Sequence, residues 1–125
     1  MNWPLLIAGG LTALAALVHA LAGERTDIRH LLASDVPTNE KLELRGVWHT
    51  FSIALAGSAF IAFYSVLVQQ TMLLNDLLRG LALFYLLCGT MVFLLILGTE
   101  RRFLLKVPQW LLLLVIGGLM WWGSV

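Results

Sequence analysis

Four residues of this chain are equipped for chemistry: His19, Glu24, Arg45 and His49. Imidazole, carboxylate and guanidinium can ligate metals, move protons and hold anions. Ionisable groups next to long apolar runs are rare and costly, so each needs a reason. His19 lies near the end of one apolar run and His49 near the start of the next. If the two runs are antiparallel helices, both imidazoles sit at one depth, about one turn inside the same boundary. Their surroundings point inward. Thr12, Ala16, His19 and Gly23 repeat at helical spacing, and so do Arg45, His49, Ser52 and Ala56. Each set forms one stripe of small and polar residues, which suits close helix contact and hydrogen bonding across it. Leu11, Leu14, Leu17, Phe51, Ile53 and Leu55 lie mostly off these stripes and are expected to meet lipid.

Three readings fit the cluster. In a structural lock, Arg45 pairs with Glu24 and the histidines bond to backbone or hydroxyl groups. In a metal site, His19, His49 and Glu24 are ligands, with His30 as a further candidate, and zinc, iron, copper or manganese would suit them. No H-x-x-x-H, E-x-x-H or C-x-x-C spacing is present. Glu24 is also five residues from His19, about 140° round an ideal helix, and could join it only if the helix loosens near Gly23. In the third reading His19 and His49 are axial ligands of one haem b, admitted by Ala15, Ala16, Ser52 and Ala56. A shared ligand requires the two imidazoles to converge, and convergence is expected.

The elements that carry these residues follow from composition. Hydrophobic residues make up 60% of 125, charged residues 12%, and mean hydropathy is +0.90. A chain this small cannot hide so much apolar surface as a water-soluble globule. The reading is one integral membrane domain, residues 1–125. Its fold class is all-α: a four-helix transmembrane bundle with antiparallel up-down topology. Apolar runs of spanning length cover about 3–22, 47–68, 77–97 and 107–122, the last of them short. Backbone in lipid must bond within its own segment, so each run is a helix. Short connections should make the second, third and fourth helices neighbours in sequence order.

The polar connection 23–46 holds most of the charge. Ile28, Leu31 and Leu32 at helical spacing continue the first helix to about Ala33 or form a surface helix. Ser34 to Pro37 breaks it, and Thr38 or Asn39 is placed to cap the next helix. Arg25, Arg29, Lys41 and Arg45 lie in this connection, and Arg101, Arg102 and Lys106 in the third. Arg79 is alone on the other side. The positive-inside rule then puts both connections in the cytoplasm and both termini outside, here of a bacterial inner membrane. All five tryptophans fall at expected helix ends, where amphipathic rings prefer to lie. Ala20-Leu21-Ala22 has the form of a signal-peptide cleavage site, but no Lys or Arg precedes the run, so it is read as a span.

Other residues carry less. Cys88 has no partner cysteine and no nearby base to activate it. Tyr85, Cys88 and Gly89 read as packing positions, Gly117 and Gly118 as close helix contact, and Asp76 with Arg79 as a solvated pair. Gln109 could cap the last helix or reach the cytoplasmic cluster. Net charge +1 argues against nucleic-acid binding.

The strings H-A-L-A-G-E-R at 19–25 and L-R-G-V-W-H at 44–49 resemble a family of small, uncharacterised bacterial membrane proteins. Their pattern is similar to H-x-x-x-G-E near the first helix end and R-x-x-W-H opening the second. Pro108-Gln109-Trp110 also fits. The resemblance implies four helices and a shared role for His19, Glu24, Arg45 and His49, with no activity attached. Small multidrug transporters have the same helix number but carry a glutamate inside the first span, and this chain has none. The expected function is a membrane protein with a cytoplasmic-side ligand site at His19, Glu24, Arg45, His49 and Ser52, metal-binding in one version. The alternative is a non-catalytic accessory or assembly subunit of a homo-oligomer or larger membrane complex. An enzyme ranks third, since no nucleophile has its base.

Overall fold

A computed structural model describes residues 2–68, 71–99, 101–106 and 108–125. They are helical almost throughout, with no strand among them. The first helix, α1, spans Trp3–Ala33, and α2 spans Thr38–Leu67. The third, α3, is Met72–Thr99, and α4 is Gln109–Gly123. Helices α1, α2 and α3 are long and apolar enough to cross a membrane. At 15 residues α4 is about 22 Å long, less than the hydrocarbon thickness.

The charged connection expected over 23–46 is mostly helix. Only Ser34 to Pro37 interrupts it, at the break expected there. Pro37, not Thr38 or Asn39, is the N-cap of α2, and no side chain caps that end. Proline fits because it fixes φ and has no N–H to lose. At the other end Asn2 caps α1, accepting from the Leu5 N–H at 3.3 Å. The turn expected over 71–76 is shorter, since α3 starts at Met72 and includes Asp76. Val107, expected to open the last helix, lies outside the described residues.

Helix α1 is not uniform. It is α-helical over Trp3–Leu17 and Arg29–Ala33, but Val18–Ala22 and Glu24–Ile28 are wound more widely. Gly23 donates its N–H to the Val18 carbonyl, an i→i+5 bond. Thr26 feeds its hydroxyl back to the Ala22 carbonyl at 2.9 Å, occupying an acceptor in this stretch.

Packing is most extensive between α3 and α4, then between α1 and α2, then between α1 and α4. Helices α2 and α3 touch little, although one short connection joins them. Sequence neighbours are thus not uniformly spatial neighbours, contrary to expectation. A Cβ on Gly117 would lie 2.9 Å from the Ala82 carbonyl oxygen, so glycine lets the α4 backbone reach that of α3. Gly118 has nothing within 4 Å of such an atom, and only Gly117 marks close contact. The core includes Ala8, Ala16, Leu55, Tyr85, Ile116 and Met120. Leu14, Leu17 and Ile53 are exposed as expected, but Leu55 is buried and Ala56 is exposed. The inward face of α2 therefore runs through Ser52, Leu55, Ser58, Ala59 and Ala62. Beyond the core, Asn2 donates to the Gly123 carbonyl at 2.7 Å and Arg79 to that of Ser124 at 3.2 Å.

Candidate functional site

The wide winding of α1 decides the geometry around His19. Residues five apart are displaced on an α-helix but come into line where bonding runs i→i+5. His19 and Glu24 are five apart, with the Gly23-to-Val18 bond between them. Both consequently turn toward α2.

They take different partners there. Glu24 receives the Arg45 guanidinium on Oε1 and His49 Nε2 on Oε2, the latter at 3.0 Å. An ionised carboxylate only accepts, so His49 must present its proton at Nε2. The three groups form an ion cluster that pins α1 to α2. Each is a third to a half exposed or nearly so, and solvent screens part of its strength.

His19 belongs to a second group. Its Nδ1 lies 2.9 Å from Ser52 Oγ, and Ser52 Oγ lies 3.2 Å from the Trp48 carbonyl oxygen. The hydroxyl has one hydrogen and the carbonyl can only accept it. With the hydroxyl hydrogen on that carbonyl, His19 donates from Nδ1 to Ser52 and keeps a lone pair on Nε2; with it on Nδ1, the imidazole proton sits on Nε2. Nε2 has no hydrogen-bond partner among the described residues. The Trp48 indole stacks on the imidazole with centroids 3.9 Å apart and planes 13° apart. Its Nε1–H donates to the His19 carbonyl at 2.9 Å. That carbonyl lies in the widely wound stretch, so Trp48 supplies a bond where the helix is irregular. The indole fits because residue 23 is glycine: a Cβ there would fall 2.2 Å from Trp48 Cζ2.

A cavity of about 390 Å³ opens beside this stack, between α1, α2 and α4. Leu11, Leu14, Ala15 and Leu113 are among its apolar walls. Its polar lining is His19, Thr26, Asp27 and Gln109, together with Trp48. A second cavity, about 430 Å³, shares His19, Asp27, Trp48 and Phe51 with the first. Glu24, Arg45 and His49 line neither.

The expected site is therefore divided. Ser52 and His19 meet, Glu24 meets Arg45 and His49, and His30 is exposed outside both groups. Among the described residues no three His, Cys, Asp or Glu side chains form a group able to hold a metal ion. The ligand set His19, His49, Glu24, with or without His30, is not assembled in this arrangement. His19 takes a hydroxyl, as in the lock reading, whereas His49 takes the Glu24 carboxylate that this reading gave to Arg45. Asp27 and Thr26 were not singled out from sequence. Their signal would have been the changed helical period after His19. Trp48 was read only as an interface residue and is also the wall of the cavity.

Comparison with protein-family models, with curated proteins and with solved structures gives no match.

Proposed function

We propose that the chain is a multi-pass membrane protein whose cavity beside His19 binds a small organic ligand. The observation carrying this reading is one imidazole held at Nδ1 and stacked on Trp48, with Nε2 unpartnered at the cavity it lines. Ligand sites are commonly apolar concavities of about 300–1,000 Å³ with a few convergent polar groups. The Glu24–Arg45–His49 cluster and the Trp48 stack hold the walls in place. This keeps the ligand-site reading and assigns the lock to the neighbouring ion cluster.

Within the same proposal, the four helices form an antiparallel up-down bundle. Contacts between Glu24 and Arg45 and between Gly9 and Phe63 support opposed α1 and α2. Contacts of Gly117 with Ala82 and of Gly89 with Leu114 support opposed α3 and α4. We extend it to a bacterial inner membrane, with both termini outside and the cavity on the cytoplasmic side, from the basic bias and the family resemblance. A periplasm-active reporter fused to Val125 should be active, and activity of a cytoplasm-only reporter there would reverse the orientation.

Native mass spectrometry of the protein released from dodecyl maltoside tests the ligand site. The wild type should retain an organic adduct, and Ala15→Phe, which fills the cavity, should lose it at unchanged melting temperature. Identical spectra would leave the accessory-subunit alternative, with these residues as lock alone. Stoichiometric metal or a Soret band in the same sample would return the shared-histidine site.

A further inference from the structure

Asp27 is not used by the ion cluster. Glu24 takes both Arg45 and His49, and Asp27 has no cationic partner among the described residues. The Thr26 hydroxyl lies 3.4 Å away but gives its one hydrogen to the Ala22 carbonyl, and Asp27 is exposed. The residue lines both cavities, and no Lys or Arg lines either. The concavity thus holds one carboxylate, an imidazole whose open nitrogen accepts in the tautomer with Nδ1–H on Ser52, and two aromatic rings, Trp48 and Phe51. Every strong feature favours a positively charged hydrogen-bond donor. The carboxylate attracts the charge, Nε2 accepts an N–H, and the ring faces attract cations. Leu11, Leu14, Leu55 and Leu113 form a wall that demands an apolar body behind that head.

Resting on the ligand-site reading, we propose that the occupant is an amphipathic amine. Its protonated nitrogen is shared between Asp27 and His19 Nε2, and its apolar body lies between α1, α2 and α4. An anion would meet an uncompensated carboxylate there. A neutral apolar molecule would use neither Nε2 nor the charge of the exposed Asp27. The ammonium can belong to a free amphiphile or to a phosphatidylethanolamine headgroup, since both present the same chemistry.

The test uses three molecules with one body and different heads: 4-phenylbutylamine, 4-phenylbutanol and 4-phenylbutyrate. Each is titrated into the full-length protein in dodecyl maltoside, with empty micelles as blank, by saturation-transfer NMR. The amine should bind saturably and five- to tenfold more tightly than the alcohol, roughly the worth of a partly screened charge pair. The carboxylate should not bind. Asp27→Asn should reduce the amine to the level of the alcohol, while Asp27→Glu keeps its advantage and shows that the fold is intact. Equal binding of all three heads, or an amine advantage untouched by Asp27→Asn, would overturn the proposal. If those molecules still lose binding in Ala15→Phe, the ligand site itself stands. If none binds in a way that Ala15→Phe abolishes, the site falls with the proposal. Displacement of the amine by phosphatidylethanolamine but not phosphatidylglycerol assigns the ammonium to lipid. Absence of displacement assigns it to a free amphiphile.

Discussion

Gly23 and Trp48 are the tightest pair around the site, and the cost of disturbing them can be stated. Gly23→Ala puts a methyl group into the indole ring and should cost about 1–3 kcal/mol, the usual range for overpacking. Trp48→Leu should lose the bond to the His19 carbonyl and the stack, again about 1–3 kcal/mol. The double variant should be less damaged than the sum, because the leucine vacates the space the methyl needs. Detergent-phase melting of the four proteins in that cycle measures the coupling. Strict additivity would mean that the indole does not depend on the glycine. Ion-cluster variants should behave differently. Glu24→Gln leaves shape intact and removes the charge between Arg45 and His49, with a loss on the order of 1 kcal/mol after solvent screening. That loss should shrink as salt is raised, whereas the Gly23→Ala loss should not.

Among the elements, α1 departs furthest from regularity, and its irregularity is the source of the site. Deleting Ala20 removes one of the five steps between His19 and Glu24 and favours ordinary α-winding. His19 and Glu24 are then four steps apart and still share a face, so helical circular dichroism and ligand retention should both stay near the wild-type values. Loss of retention would show that the wide turn itself is required. The α3–α4 pair offers a cleaner contrast. Gly117→Ala drives a methyl against the Ala82 backbone, which cannot move aside as a side chain can, and should cost about 1–3 kcal/mol. Gly118→Ala meets open space and should be neutral or slightly stabilising through helix propensity. The two alanine variants need only their melting temperatures compared. These elements also show what could be read from the chain. Apolar runs located the helices, and the break at Ser34 to Pro37 was visible in residue types. The Glu24–Arg45 pair was legible once the runs were paired. The winding of α1 was not, because an α-helical period was imposed on residues 18–28. That period hid Asp27, and the expected single cluster is two groups in the structure. Glycine identity alone could not distinguish Gly117 from Gly118, since the difference lies in which face meets α3.

For the whole molecule, the large exposed apolar residues, from Trp3 and Leu14 to Ile53, Leu87 and Trp122, suit a hydrocarbon surrounding. The protein should resist alkaline carbonate extraction of membranes and leave them only with detergent. Recovery in the carbonate supernatant would contradict the membrane reading. Inside that envelope contact is uneven: α1 packs on α2, α3 packs on α4, and the α1–α4 face joins the pairs, with little between α2 and α3. The consequence concerns biogenesis. On the proposed membrane topology each pair is a hairpin with its own internal contacts, and assembly would reduce to two insertions followed by one lateral docking. Chain continuity between α2 and α3 then does little beyond keeping the halves in one place. Residues 1–70 and 71–125, produced as separate polypeptides in one cell, should find each other and co-purify, with the cavity beside His19 restored only when both are present.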